Sequence, residues 1–446
     1  MEIPRSIFKA YDIRGLVDEV SPEIAKLVGV AVVDSLKAKR IVVGRDMRSS
    51  SPALYEAVIA GARAKGCDVR GLGMCTTSLF NYAVCEMDDV DGGVMITASH
   101  NPSQYNGIKM ADHKGVPISG EEIYSRLSES TEGSYLEGKF EEVNIIKQYL
   151  SERLRQGGVL DAEGVKIVVD YGNGMGSVTI APLLQKIGAE VVELFAQPDA
   201  SFPNHEANPA KVETLVDLQQ TVIKENADFG IAIDGDGDRI GFIDEKGLVI
   251  RGDIMLALFA KDALQRKSGE SIVVQPNHSW TTTHIIEKFG GKIIPCRIGR
   301  TFMIQKMHEY SAVVGGELSS HFFFRECNGL ESIDFVLLKV VSILKESGQP
   351  FSKLFQDFEV YENSGEMNFE VRDKQVVLDA FENEFVGSAK NVDKIDGLKF
   401  EFSSWWFIVR SSNTEPLIRL TIEASSKDEL SIHRDELVSF LQQFKI

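Results

Sequence analysis

The sequence predicts an α/β protein: three similar α/β domains with mixed sheets, followed by a smaller α+β domain at the C-terminal end. Three observations predict it. Three apolar triplets, Ile41-Val42-Val43, Ile167-Val168-Val169 and Ile272-Val273-Val274, each lead through a polar or glycine-rich loop into a helix-like segment. Each of those segments ends at a glycine before another short strand, at Gly66, Gly188 and Gly291. One strand later in each block, an apolar run stops at a chemically rich loop: VMITASHNP, FGIAIDGDGDR and AVVGGELSSH.

Strand, helix and strand at this spacing form a parallel crossover unit. Ile- and Val-rich strands suit a sheet buried on both faces. In the first block the loop RDMRSSSP offers Ser51-Pro52 as N-cap and first helical residue. The equivalent loops are YGNGMGS in the second block and PNHSWTT in the third. From Glu366 onward the grammar changes to short strands with two helical stretches, near 376–385 and 427–444. The Gly/Pro/Ser-containing stretch 346–365 leads into that tail and is a candidate hinge. The expected domains are 1–152, 153–253, 254–365 and 366–446. Ligand sites in parallel α/β sheets gather beyond the carboxyl ends of strands. The three loops therefore occupy equivalent places, and a single cleft faced by all three would draw one loop from each domain.

A formal net charge of −18 argues against nucleic acid or anionic lipid as a partner, because both need a basic face. A local group of Arg and Lys can still hold a small phosphorylated ligand. The five cysteines, Cys67, Cys75, Cys85, Cys296 and Cys327, are odd in number and lack C-x-x-C spacing, as expected of free thiols in a reducing compartment. The opening MEIPRSIFKAYDIRG has no signal-peptide apolar core, and no apolar run nears the ~20 residues of a membrane span. The expectation is a cytoplasmic protein, monomer or homodimer, that binds neither membrane nor nucleic acid.

Asp234-Gly235-Asp236-Gly237-Asp238-Arg239 carries the strongest chemical signal. Alternating glycines let the backbone turn tightly and aim three carboxylates at one point. Like charges that close repel unless a cation sits among them, and oxygen-only ligands favour Mg²⁺, Ca²⁺ or Mn²⁺. A solvated acidic turn is one alternative. An EF-hand is another, but its sixth residue would be glycine and here is Arg239, and the flanks read as strands. A phosphatase with Asp234 as nucleophile is the third. A metal site using all three aspartates fits best.

A cation held by carboxylates is a natural partner for a phosphoryl group, and Ser99 could carry one and supply a fourth metal ligand. His100, Asn101 and the tight turn can fix the geometry, while Lys109, Arg14 or Lys9 could neutralise the transferring oxygens. In the third loop, Glu317 and Ser319 supply hydrogen-bond partners of the kind sugar hydroxyls need. Near the C-terminal end, Arg410-Ser411-Ser412-Asn413-Thr414-Glu415-Pro416, with Arg419 close behind, makes a cradle for a phosphate dianion.

In this order, TASHNP, DGDGDR, GELSSH and RSSNTEP resemble the α-D-phosphohexomutase family, phosphomannomutase/phosphoglucomutase branch. The resemblance runs from KAYDIRG to the last motif. It implies four domains around a central cleft, with Ser99 as phosphoserine and Asp234, Asp236 and Asp238 holding one Mg²⁺. Glu317 and Ser319 would contact the sugar. Arg410, Ser412, Asn413 and Thr414 would hold the phosphate that is not reacting. Arg14, Lys109 and Arg239 would line the reacting phosphoryl group, and Lys109 and His321 are candidates for proton transfer. The implied reaction interconverts hexose 1-phosphate and hexose 6-phosphate, of mannose or glucose, through a hexose 1,6-bisphosphate that also serves as activator. A phosphoglucosamine mutase is the alternative. The chain departs from many relatives at Gln275-Pro276-Asn277-His278, where they carry a lysine, and at Gly299-Arg300, where they carry Gly-His.

Overall fold

The computed structural model describes residues 3–127, 136–159, 161–359, 361–411 and 417–444. The chain forms two compact units. One comprises Met1–Gly252 and Ser319–Gln356, the other Asp253–Leu318 and Asp357–Ile446. The passage at Gln356 falls inside the stretch expected to act as a hinge.

The first unit opens with a six-stranded sheet. Its strands are β1 (Ile13–Leu16), β2 (Arg40–Arg45), β3 (Asp68–Met74), β4 (Gly92–Ile96), β5 (Tyr105–Asp112) and β6 (Phe140–Glu142), in the order β1-β5-β4-β2-β3-β6. β2 runs parallel to both β3 and β4, whereas β5 is antiparallel to β4 and β1, so the sheet is mixed. All five residues of β4 are buried, as a two-sided cover requires. The helices Pro22–Leu36 and Ser51–Ala64 cross almost at backbone contact. A Cβ on Gly29 would come 2.3 Å from the Val58 carbonyl oxygen, and one on Gly61 would come 2.0 Å from that of Lys26. Ser50, not Ser51, is the N-cap of the second of these helices.

A second mixed sheet follows in the same unit: β7 (Lys166–Asp170), β8 (Glu190–Leu194), β9 (Phe229–Ile233), β10 (Ile240–Asp244) and β11 (Val249–Ile250), ordered β11-β10-β9-β7-β8. β7 is parallel to β8 and β9, and β10 returns antiparallel to β9. The acidic loop is the turn between β9 and β10. The unit is completed by the hairpin Phe322–Phe324/Leu330–Glu331 and the helix Ile333–Ser347, capped by the Ser332 hydroxyl on the Phe335 amide. A buried polar cluster ties that helix to Ile146–Gly157: Arg153 lies 5.3 and 5.1 Å from the Tyr82 and Tyr149 rings, and the Tyr149 hydroxyl donates to Asp334.

In the second unit, Ser271–Val274 lies between Lys292–Pro295 and Val314–Gly316, parallel to both. Helices Trp280–Lys288 and Arg300–Glu309 make the crossovers. The left-handed residue after the first of these is Gly290 (φ 72°), one position before the Gly291 expected from the sequence. The tail is an antiparallel sheet built on Leu398–Glu401, Trp405–Ser411 and Leu417–Ala424, with helices Lys374–Phe385 and Lys427–Gln442. Phe381, Phe385, Phe400 and Phe407 form its aromatic core.

Candidate active site

The site in the first unit is built where β4 and β9 end. Past Ile96 the chain turns sharply: the Ser99 amide donates to Thr97 Oγ1 (2.9 Å), and the Asn101 amide donates to the Ala98 carbonyl (3.1 Å). Ser99 takes a left-handed backbone, φ 51°, which an L-residue other than glycine adopts at a cost. Its hydroxyl is buried and donates to Asp234 Oδ2 at 2.8 Å, with His100 Nδ1 3.3 Å away.

The acidic loop winds around one carboxylate. Asp234 Oδ1 accepts from the amides of Gly237, Asp238 and Arg239, at 3.1, 3.0 and 3.2 Å. Gly235 touches the serine loop: a Cβ there would lie 2.5 Å from the Ser99 carbonyl oxygen. The N-terminus of helix Thr77–Glu86 holds the far side. The Thr77 amide and hydroxyl donate to the Asp236 carbonyl and Oδ2, both at 2.7 Å, and the Ser78 hydroxyl donates to the Gly237 carbonyl at 2.8 Å.

Asp234, Asp236 and Asp238 are buried, and each offers a carboxylate oxygen within 4.8 Å of the others. Lys109 Nζ sits 2.7 Å from both Asp236 Oδ2 and Asp238 Oδ2. Burial, then Asp238 and Asp236, push the Asp234 carboxyl well above the usual range. Against the pull of burial, Lys109 and His321 hold Asp238 well below it. Asp236 is also held low, against burial and Asp238, by Lys109. Lys109 pairs with Asp236 and Asp238, and Arg239 stands farther off, near Asp234 and Asp238, so Asp234 is the carboxyl of the three left without a close cation, and it is the one pushed up. Asp236 Oδ1 is buried and accepts no hydrogen bond among the described residues. An all-oxygen donor set with an unsatisfied oxygen is what a hard divalent cation takes.

The remaining predicted residues converge here in part. Arg14 donates to Asn101 Oδ1 (3.0 Å) and to Asp12 Oδ2 (2.5 Å). Arg239 Nε points at His321 Nε2 (3.2 Å) and stands 3.9 and 4.0 Å from Asp234 and Asp238. His321 Nδ1 meets Ser319 Oγ at 2.9 Å, and its Nε2 lies 3.3 Å from Asp238 Oδ1. Nε2 can therefore accept from the guanidinium or donate to the carboxylate. The Arg239 charge, then burial, then Arg14 depress the His100 pKa, so His100 acts as a neutral hydrogen-bonding group beside Ser99. Lys9 is held through its backbone, its amide donating to the Asp12 carbonyl at 2.8 Å.

Several contributors were not legible as site residues: Asp12, which anchors Arg14; Thr77 and Ser78, which brace the acidic loop; and buried Glu331, which forms a second close cluster with Asp238 and His321. Thr76-Thr77-Ser78 reads in sequence only as a helix cap, which it also is, Thr76 Oγ1 accepting from the Leu79 amide.

The GELSSH string is divided between the units, Glu317 belonging to the second and Ser319 to the first. Within the second unit, buried Glu317 accepts from Gln275 Nε2 at 3.0 Å. Asn277 and His278 are also buried, and the Gln275 backbone N–H points at His278 Nδ1 (3.3 Å). Arg300 begins its helix after Gly299, whose φ is 137°. Arg410 and Arg419 face each other across the tail's central strand pair, and both donate to Glu366, at 2.7 and 3.1 Å. Ser412, Asn413 and Thr414 lie outside the described residues.

Comparison with known proteins gives one answer over the whole chain. The models described as phosphoglucomutase/phosphomannomutase alpha/beta/alpha domains I, II and III match residues 5–134, 147–247 and 251–361, and the C-terminal domain model matches 366–439. A phosphomannomutase of Methanocaldococcus jannaschii is 35% identical, over 98% of this chain and 97% of the relative. A phosphomannomutase/phosphoglucomutase of Pseudomonas aeruginosa is 34% identical, over 96% and 94%. A solved structure, a phosphoglucomutase/phosphomannomutase family protein of Burkholderia thailandensis, superposes with a TM-score of 0.90 at 31% identity, covering 99% of this chain and 98% of its own.

Proposed function

Since this chain belongs to the phosphoglucomutase/phosphomannomutase family, and so is a mutase-type phosphotransferase acting on hexose phosphates, we propose that phosphorylated Ser99 is its phosphoryl carrier. One observation carries the reading: the Ser99 hydroxyl is within hydrogen-bond reach of Asp234 in a pocket of three carboxylates, with Lys109 on the other two. Asp234, Asp236 and Asp238 would hold Mg²⁺. When bound, the ion supplies positive charge to the oxygens of the transferring group.

The chain's own residues do the rest. The oxygen–phosphorus bond at Ser99 breaks as a new one forms to the free hydroxyl at C1 or C6 of a hexose monophosphate. The proton leaving that hydroxyl passes to a nearby base, and the departing Ser99 oxygen takes one from a nearby acid. His321 and Lys109 are the candidates for these proton transfers, the imidazole to accept and the ammonium to donate, because each already faces the acidic loop. Arg14, Lys109 and Arg239 offset charge on the moving group, and Asn101 and His100 orient the turn that presents it. The hexose 1,6-bisphosphate so formed reverses in the site and returns its other phosphate to Ser99. Arg410 and Arg419, with Ser412, Asn413 and Thr414, would receive whichever phosphate is remote, and Glu317 and Ser319 would bind the sugar in both orientations. The division of labour follows the four expected segments. The enzyme would work in the cytoplasm on mannose or glucose phosphates.

Protein incubated with glucose 1,6-bisphosphate and Mg²⁺ should gain one phosphate on Ser99, seen by peptide mass analysis. Ser99→Ala should lose turnover on mannose 1-phosphate and glucose 1-phosphate almost completely. Near-native turnover by that variant, or label on a carboxylate, would overturn the proposal. Faster turnover on glucosamine 1-phosphate than on either hexose would reassign the sugar.

A further inference from the structure

The turn that presents Ser99 rests on a buried guanidinium. Arg48, just past β2, is 1% exposed. Its Nη1 donates to the carbonyls of Pro102 (2.8 Å) and Tyr105 (2.9 Å), and its Nη2 to those of Ser99 (2.8 Å) and Asn101 (2.5 Å). Its Nε donates to Asp46 Oδ2 at 3.1 Å. A guanidinium has five N–H donors in a rigid fork. All five are engaged, and four of them grip one turn.

Asp46 fixes the guanidinium in its turn. It accepts from the Arg48 amide at 3.0 Å and from the Ser51 hydroxyl, while its own amide donates to the carbonyl of Ile96, the last residue of β4. The Phe202 ring lies 5.3 Å from the guanidinium carbon. Ser99 itself, at φ 51°, holds a conformation that persists only where the surroundings over-determine it. Arg48 is the group that does so on the carbonyl side. Lysine has the charge but only three donors on a point, and cannot reproduce the fork.

We propose that Arg48 is a positioning residue for phosphoryl transfer: by fixing the carbonyls of Ser99, Asn101, Pro102 and Tyr105, it sets the direction in which Ser99 Oγ faces the acidic loop. This rests on the reading of Ser99 as phosphoryl carrier. A misplacement of one ångström at a reacting centre costs on the order of a hundredfold in rate. The effect falls on transfer and not on sugar binding, because Arg48 is buried behind the turn.

The test compares wild type, Arg48→Lys and Asp46→Asn. The probe is glucose 1,6-bisphosphate with Mg²⁺, the readout the rate at which phosphate reaches Ser99 by rapid quench and intact mass. Near-ultraviolet circular dichroism reports folding, and the ³¹P resonance of the phosphoserine reports geometry. Arg48→Lys is expected to transfer about a hundredfold more slowly, and Asp46→Asn about tenfold, with KM for mannose 1-phosphate held within about threefold and the ³¹P line displaced. A folded Arg48→Lys that transfers within about threefold of wild type overturns the proposal, as does a loss confined to KM. Should Arg48→Lys fail to fold, Asp46→Asn decides by the same criteria. If wild type takes no phosphate on Ser99, the phosphoserine reading falls and this proposal with it. If wild type is phosphorylated and Arg48→Lys is normal, this proposal alone falls.

Discussion

Lys109 Nζ stands 2.7 Å from Asp236 and 2.7 Å from Asp238, so one ammonium bridges two of the three carboxylates of the acidic loop. The strand that carries it, β5, is antiparallel to β4, and Lys109 pairs with Met95, placing it beside the end of the strand that leads to Ser99. The same residue is therefore a counter-charge for the loop and a neighbour of the serine turn.

Lys109→Met should remove that counter-charge without adding bulk. Breaking a buried pair by deleting one partner costs about 3–5 kcal/mol. In EDTA the variant should melt well below wild type, and Mg²⁺ should narrow the gap by binding the freed carboxylates. Turnover should fall on the order of a hundredfold or more even with metal present. Calorimetry with and without Mg²⁺, alongside a steady-state assay, checks both statements. Equal melting points in EDTA would contradict the first.

Gly235→Ala should separate the two loops. The added Cβ would lie 2.5 Å from a backbone oxygen of Ser99, which cannot swing aside as a side chain would. Overpacking of this kind costs about 1–3 kcal/mol. The larger effect should be on chemistry, with phosphorylation of Ser99 falling roughly a hundredfold because the two loops no longer meet. Urea melts and the phosphorylation rate measure the two effects independently.

Gln275→Leu should act on the sugar side. It deletes the N–H that reaches Glu317 Oε1 and leaves that buried carboxylate short of a donor. A hydrogen bond to a charged group contributes about 1.5–3 kcal/mol, or roughly ten- to a hundredfold in affinity. The expected outcome is a raised KM for mannose 1-phosphate and glucose 1-phosphate, a changed ratio between them, and little change in phosphorylation of Ser99 by bisphosphate. Unchanged KM for both sugars would contradict it.

His205 should make stability depend on pH. Its Nε2 faces Asp170 Oδ2 at 2.9 Å and its Nδ1 faces the Glu206 carbonyl at 2.8 Å. Both partners are acceptors, so only the imidazolium, with two N–H groups, satisfies both. The hydrogen bond to Asp170 outweighs burial and raises the histidine pKa. A pKa raised above the unfolded value of about 6.5 stabilises the fold below that pH, and the contribution fades as pH rises through the folded value. Urea melts should therefore show His205→Gln weaker than wild type at about pH 6, the two converging by about pH 9.

Much of this site can be read from the chain, because its chemistry is written in short strings. The aspartates at 234, 236 and 238 fall in one turn, and their spacing marks them; Ser99 and Lys109 take their meaning from standing beside that turn and from the resemblance of the motifs. The three strand triplets are legible in themselves, each forming the strand expected of it. What sequence hides are residues whose role arises from approach. Thr77 and Ser78 look like a helix cap until the acidic loop lies against them. Arg48 looks like loop polarity until four carbonyls close on it. Glu331 sits at the end of a strand two residues long, too short to signal anything by periodicity. The split of GELSSH between two units is likewise a property of contacts, invisible in a string of six letters.

That split has a consequence for synthesis. The first unit takes its final pieces from Ser319–Gln356, so it cannot close until the ribosome has made the intervening segment of the second. Arg239 waits 82 residues for His321. At about 5–20 residues per second the delay is roughly 4–16 s. Throughout that interval the nascent aspartate turn is exposed without its histidine. The emergence of Ser319–Gln356 then sets the earliest moment at which the first unit can close.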